Sequence, residues 1–315
     1  MENANTSQSR AFNIIVPVYR KLEHFEEVSI RALFSHLLSD KKRDVWFILP
    51  DGDNDTRECL LGFLDKELNL KPHTDFYIKE YNKKWFKSKY DYSKLLLTHE
   101  FYRGWYEAGY RKSFIYQTDC YLFRDEFDKW ANTGYTFVGA PVVATNSDWG
   151  YYGGYVGNGG FSMRDNYKLY LLLYRDENNK GNELWEKHGE EFETAVLEKN
   201  SDLKYIDFED IFICRMLSKY AHIDIPSAKE AAKFAYDRNP FECKEFYNVA
   251  CPMAAHNFML QAKYWSGFIP ELDKGSGRFD KELFDVTQDI IDKWNSSYHP
   301  EDHGKQVYND DVGKP

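Results

Sequence analysis

Apolar positions along this chain fall into two rhythms that take turns. Phe12-Asn13-Ile14-Ile15-Val16-Pro17-Val18-Tyr19 is a near-continuous β-branched and aromatic run, the pattern of a strand buried on both faces. Pro17 lacks an N–H and so belongs near the end of that strand. Val28 to Leu38 repeats its apolar residues at helical spacing and predicts a crossover helix. Asp44 to Pro50 predicts a second strand, with a loop at Asp51-Gly52-Asp53-Asn54-Asp55, and Asp75 to Tyr81 predicts a third. A basic and aromatic stretch, Asn82 to Tyr92, leads into a helix expected from Ser93 to Ala108. Ser113 to Gln117 is a fourth strand, Asp125 to Trp130 a short helix and Tyr135 to Pro141 a further strand. This alternation predicts an α/β, Rossmann-like fold: a mainly parallel, doubly wound sheet with helices on both faces.

The rhythm changes after residue 141. Trp149 to Arg164 is rich in Gly and Tyr, residues 176–203 are charged with a helical bias, and Glu209-Asp210 enter an apolar helix. Phe234 to Phe258 predicts irregular structure folded back over the sheet, and Lys281 to Trp294 an outer amphipathic helix. The organisation expected is a flexible leader (1–11), a main domain (12–270), a helical C-terminal extension (271–300) and a disordered tail (301–315).

Composition narrows the function classes. Acidic residues outnumber basic ones 51 to 41, giving a net charge of -10, which argues against a general nucleic-acid binder. The five cysteines form no C-x-x-C pair and no zinc-spaced Cys/His cluster, so free thiols are expected. Met1 to Arg10 is polar, and no run approaches the roughly 18 apolar residues of a membrane span. A cytoplasmic protein is the expectation.

Candidate chemistry begins with Asp119, just beyond the fourth strand, where open α/β sheets place their ligands. A carboxylate there either holds a metal ion over a phosphate or caps the next helix. The acidic loop at Asp51 is not a calcium loop, because Thr56 and Gly62 occupy the positions that require Gly and Glu. The glycine run matches neither a Walker loop nor a dinucleotide fingerprint. Glu209 and Asp210 are either dipole partners in a first helical turn or site acids.

Four stretches in this order resemble a microbial group of GT-A-type glycosyltransferase domains. They are Ile14 to Tyr19, Tyr116-Gln117-Thr118-Asp119-Cys120-Tyr121-Leu122-Phe123, Val156-Gly157-Asn158-Gly159-Gly160-Phe161-Ser162-Met163-Arg164, and Phe208 to Phe212. The resemblance implies a GT-A-like fold and transfer of a sugar from a nucleotide-sugar, a UDP-sugar, to a glycan or glycolipid acceptor. It implies surface polysaccharide or lipopolysaccharide synthesis, with peripheral contact to a membrane. It also implies a divalent metal, Mn²⁺ or Mg²⁺, held by the D-x-D motif. Here Gln117 replaces the first acid, leaving Asp119, and His256 is similar to the histidine that completes such a metal shell. By the same resemblance Val16, Pro17, Tyr19, Asp51, Lys94, Gln117 and Thr118 serve the nucleotide donor. Asn158, Gly159, Gly160 and Phe161 line the substrates, and Asp210 or Glu209 is the catalytic carboxylate that faces the acceptor hydroxyl as its base. Of these two, Asp210 is expected to face the site and Glu209 the solvent. Gln117 leaves a non-catalytic carbohydrate or nucleotide binder open as a second reading, and a metal-dependent nucleotide-sugar hydrolase, which needs water where the acceptor binds, is a third.

Overall fold

The computed structural model describes residues 11–67, 74–142, 155–174, 183–188, 208–237 and 240–272. The leader, most of the charged segment 176–203, the helix Lys281 to Trp294 and the tail lie outside the described residues.

The first half runs β1 (Phe12–Pro17), α1 (His24–His36), β2 (Arg43–Pro50), α2 (Asn54–Glu67) and β3 (Thr74–Tyr81). Next come α3 (Lys89–Leu95), α4 (His99–Glu107), β4 (Lys112–Tyr116), β5 (Tyr121–Leu122) and α5 (Phe127–Ala131). They are followed by β6 (Phe137–Val138), β7 (Pro141–Val142), β8 (Tyr155–Val156), β9 (Phe161–Asp165) and α6 (Asn166–Leu173). The central sheet has six strands in the order β3-β2-β1-β4-β9-β6. The first four are parallel, with Ile15 of β1 beside Trp46 on one side and Ile115 on the other. Strand β9 runs antiparallel to both β4 and β6. This is the mainly parallel, Rossmann-like α/β architecture expected, with helices on both faces of the sheet.

Burial on both faces explains the unbroken apolar runs. Ile14 and Val16 join Ile30, Leu33, Leu60 and Trp130 on the face covered by α1, α2 and α5. Ile15, Ile48 and Ile115 meet Phe101, Trp105 and Leu169 of α4 and α6 on the other. A third cluster joins Phe25 and Val28 to Tyr236, Phe258 and Trp265.

Local chemistry moves several boundaries. Helix α1 starts ahead of Val28, because Glu26 Oε2 accepts the Glu23 N–H at 2.8 Å and sets the first turn. The acidic loop is a helix start: Asp53 accepts from Thr56 N at 3.0 Å and from Thr56 Oγ1 at 2.7 Å, launching α2. The single helix expected at Ser93 to Ala108 is two, α3 and α4. Thr98 Oγ1 donates to Leu95 O at 2.7 Å and competes with the helical ladder. The strand expected at Tyr135 to Pro141 contributes only its Phe137–Val138 pair to the main sheet.

The glycine-rich stretch ends in a true strand, β9, whose Ser162 and Arg164 are fully buried. Behind it runs a helix that begins as Glu209–Ile211, passes through a π-helical turn at Phe212–Leu217 and finishes at Ser218–Ala221; we call it α7. The stretch Phe234 to Phe258 is ordered rather than irregular, and with its flanks it forms α8 (Ala228–Phe234), β10 (Ala235–Tyr236), α9 (Pro240–Tyr247), β11 (Ala254–Ala255) and α10 (Ala262–Trp265). Strands β10, β11 and β5 form a small second sheet, and β7 pairs with β8.

Ion pairs brace the amino-terminal edge of the main sheet. Arg43 opens β2 and holds buried Asp125 through two contacts of 2.9 Å, with Asp128 at 2.8 Å. Lys112 opens β4 and reaches Asp165 at 3.1 Å. All five cysteines are free thiols. Among the described residues no helix is long and apolar enough to cross a membrane.

Candidate functional site

Strand order decides where a ligand fits. The chain builds β1, β2 and β3 outward in one direction, then returns to place β4 on the far side of β1. The reversal opens a crevice at the carboxyl ends of β1 and β4, the usual binding place in open α/β sheets. Val18 and Tyr19 leave β1 there, and Gln117 to Cys120 leave β4 in a tight turn closed by Cys120 N→Gln117 O at 2.9 Å.

His256 sits at the centre of this edge. It follows β11, and its backbone N–H donates to Tyr236 O at 2.8 Å. Its Nδ1 lies 3.0 Å from Asp237 Oδ1, while its Nε2 lies 3.2 Å from Asp119 Oδ1 and 3.3 Å from Gln117 Oε1. Asp237 also accepts from Asn257 Nδ2 at 2.7 Å and from Asn158 Nδ2 at 3.1 Å. Asn158 Oδ1 in turn accepts from Gly160 N at 3.0 Å. Burial opposes a charge on His256, but the flanking carboxylates of Asp119 and Asp237 outweigh it and raise the ring to about 10.

These residues fit a divalent cation. Asp119 Oδ1 is buried and, apart from His256 Nε2 at 3.2 Å, meets no hydrogen-bond donor among the described residues. Two ligands about 2.1 Å from an ion and at right angles lie about 3 Å apart, close to the Asp119–His256 separation. Asp237 holds Nδ1 of the ring and leaves Nε2 for the ion, the usual carboxylate–histidine arrangement. Cys120 lies in the same group. Its thiol is a poor ligand, because it donates to Gly160 O at 3.4 Å and burial holds it protonated. Gln117 offers a neutral carbonyl where a second acid was the motif's norm.

A second constellation lies under Gly159. Arg164 is fully buried and reaches Glu209 Oε1 at 2.7 Å, Tyr102 OH at 3.1 Å and Ser162 Oγ at 3.1 Å. Glu209 Oε2 accepts from Ser93 Oγ at 2.7 Å. Asp210 Oδ2 accepts the Gly159 N–H at 2.7 Å, and Ser162 Oγ donates to Gly159 O at 2.8 Å, so the Gly159 peptide is gripped at both ends. Burial and the neighbouring Glu209 push Asp210 up, to about 7. The two glycines form a wall between the constellations. A Cβ on Gly159 would stand 2.7 Å from Glu209 Oε1, and one on Gly160 would strike the His256 ring.

The sequence-based assignments are thus sorted by position. Gln117, Asp119, Asn158, Gly160 and His256 come together, as do Gly159, Glu209 and Asp210. Thr118 turns away to donate to Glu26 Oε1 at 2.6 Å, and Phe161 is buried in the core. Val16 is buried, Pro17 ends β1, and Tyr19 is 51% exposed with the Arg20 guanidinium 5.6 Å from its ring. Asp51 accepts from Lys83 N at 2.7 Å. Lys94 is half-exposed with Asp91 3.9 Å away, and its neighbour Ser93 is the α3 residue that reaches Glu209. Glu209 was expected to face solvent but is 5% exposed, since it neutralises buried Arg164. Asp237 carried no sequence signal, and Ser93 stands beside Lys94, the residue of that short stretch expected to be functional. Arg164 carried one, as the one charged residue of the glycine-rich motif.

A family model described as "Protein of unknown function (DUF5672)" matches residues 75–256. No curated protein matches the chain. Among solved structures, the chain is similar to mouse xyloside xylosyltransferase 1 in its apo form, with TM-score 0.48 and 8% identity, over 78% of this chain and 96% of that one. It is similar to the galactosyltransferase LgtC in complex with donor and acceptor sugar analogues, with TM-score 0.48 and 12% identity, over 91% and 100%. It is also similar to the glycosyltransferase GlyE of Streptococcus pneumoniae TIGR4, with TM-score 0.43 and 10% identity, over 90% and 64%.

Proposed function

The chain belongs to the family described as "Protein of unknown function (DUF5672)", and from that starting point we propose that it is a glycosyltransferase. In this reading it moves a sugar from a UDP-sugar to a glycan or glycolipid acceptor in surface polysaccharide or lipopolysaccharide synthesis. The observation that carries the reading is the Asp119–His256 pair, 3.2 Å apart at the reversal of strand order, beside a glycine wall backed by Asp210.

Each residue has a task under this proposal. Tyr19 and Asp51 border the base and ribose, Val16 and Pro17 support them from the buried end of β1, and Lys94 belongs to the donor side. Asp119 and His256 would hold Mn²⁺ or Mg²⁺, which when bound neutralises charge on the departing diphosphate. Asp237 fixes the tautomer of His256 through Nδ1. Asn158 donates to Asp237 and accepts from the Gly160 N–H, which ties the wall to the metal side. Asp210, at the Gly159 N–H, takes the proton of the acceptor hydroxyl, which requires its ionised form.

Calorimetry with UDP, in Mn²⁺ and in chelator, tests the donor and metal claims together. Binding strengthened by Mn²⁺ is expected, and equal affinity in both conditions refutes the metal. Product analysis with a UDP-sugar and an acceptor tests the reaction. A new glycoside supports transfer, free sugar alone shows a hydrolase, and no product from a protein that binds UDP shows a binding module.

A further inference from the structure

Lys83-Lys84-Trp85-Phe86-Lys87-Ser88-Lys89-Tyr90 has no task in the proposed reaction. It carries four lysines and no acid, in a chain of net charge -10. All four lysines are exposed. Among the described residues Lys83, Lys84 and Lys87 form no ion pair with a carboxylate.

The segment is built in place rather than loosely strung. Lys83–Phe86 is a 3₁₀ turn capped by Asn82 Oδ1, which accepts from Lys84 N at 3.0 Å. Ser88 Oγ caps α3 by accepting from Asp91 N at 3.2 Å. Three ties fix it beside the site. The Lys83 N–H donates to Asp51 at the end of β2, Tyr90 stacks on Phe208 at 5.3 Å, and Ser93 of the same helix holds Glu209. The segment therefore lies along the carboxyl edge of the sheet, next to Glu209 and Asp210.

Its rings are interleaved with its charges. Lys84 Nζ lies 4.4 Å from the centre of the half-buried Trp85 ring, Lys89 Nζ lies 5.3 Å from that of Phe208, and Tyr90 is 41% exposed. Exposed lysines mixed with Trp, Phe and Tyr are the composition of surfaces that lie in a membrane interface. A dedicated pocket for an anionic sugar has a different character. It uses the bidentate Arg fork and buried polar groups that fix one orientation. This segment has no Arg and presents point charges over a broad face, which suits a diffuse anionic surface.

We propose that Lys83, Lys84, Lys87 and Lys89, with the ring of Tyr90, dock this protein on an anionic lipid bilayer with its carboxyl sheet edge turned toward the membrane. This deepens the glycosyltransferase reading, since a lipid-borne acceptor would then be delivered beside Asp210. The docking itself requires neither nucleotide nor metal, so its failure and that of the transferase reading are observed separately.

The test is co-sedimentation of the full chain with vesicles of phosphatidylcholine alone, or of phosphatidylcholine mixed with phosphatidylserine. Binding to the mixed vesicles that fades as salt is raised is expected. Each lysine near such a surface is worth about fivefold in partitioning. The double variant Lys84→Glu/Lys87→Glu should therefore reduce partitioning at least about 25-fold. The control pair Lys244→Glu/Lys263→Glu, on exposed positions of α9 and α10, should bind as the native chain does. Circular dichroism and the affinity for UDP should be unchanged in both. No binding to mixed vesicles, equal binding to neutral ones, or the same loss in the control pair overturns the proposal. So does capture of soluble dextran sulfate, lost in Lys84→Glu/Lys87→Glu, by a chain that ignores vesicles; that result assigns the face to an anionic glycan.

Discussion

At the scale of single residues, the tightest constraint is the approach of Gly160 to His256. Any side chain there meets the imidazole, so the ring must leave its place between Asp119 and Asp237. Gly160→Ala should abolish the Mn²⁺ dependence of UDP binding, measured by calorimetry, in a protein that still melts cooperatively. Glu209 and Asp210 are adjacent acids with separate fates. Glu209→Gln leaves Arg164 buried without its counter-charge, which typically destabilises by about 3 to 5 kcal/mol, and the melting temperature should fall accordingly. Asp210→Asn should keep the fold and donor affinity while turnover drops by about 10² to 10⁴. Asp210 also has a pH signature. Its folded value near 7 is above the usual carboxylate range, so between those limits the folded chain holds a proton the unfolded chain has lost. Stability from this group is therefore complete at acid pH and lost as pH rises toward 7, whereas activity through its ionised form rises over the same window. Thermal melts from pH 4 to 8 should show that slope in the native chain and a flatter one in Asp210→Asn. The adjacency of these acids was legible in the sequence, but their orientation was not. Arg164, 45 residues earlier, decides it by claiming Glu209, and no local pattern announces a partner that distant.

Among elements, β1, β2 and β4 could be read directly, because burial on both faces forces long apolar runs, and the partly exposed edge strand β3 by its aromatic and β-branched residues. Strand β9 could not. Its Phe161 and Met163 do alternate with Ser162 and Arg164, but that pattern points to a strand with one wet face, whereas Ser162 and Arg164 are buried for their hydrogen bonds, and the glycine run before them masks so short a signal. Helix α2 was hidden by its own cap, whose cluster of acids resembles a loop until Asp53 is seen to hold Thr56. The join between β6 and β7 sets the position of the site loop. A Cβ on Gly139 would collide with the backbone carbonyl of Asn158. Gly139→Ala should displace that loop, lower stability by about 1 to 3 kcal/mol as overpacking does, and weaken UDP binding through Asn158. A melting curve with calorimetry on the same sample checks both effects. The π-helical turn of α7 directly after Asp210 has the same local character, since such turns recur at functional positions.

For the whole molecule, the two edges of the main sheet have divided labour. The amino edge holds ion pairs buried for stability, Arg43 with Asp125 and Lys112 with Asp165, and the carboxyl edge holds the polar groups proposed to act. Arg43→Ala should leave Asp125 buried and unpaired and lower stability by about 3 to 5 kcal/mol. UDP affinity at a temperature where the variant is folded should not change, because the crevice lies at the other end of the strands. Strand β9 joins the two edges, from the Gly159–Gly160 wall to Asp165. Its Met163 and Arg164 are paired with β4 on one side and β6 on the other. Amides in such a doubly bordered strand exchange with solvent only when the entire sheet opens. Native-state hydrogen exchange should therefore find Met163 and Arg164 among the slowest amides in the chain. The wall begins within a few residues of them, so a substrate would meet a surface already rigid before it arrives and would not have to order that surface on binding.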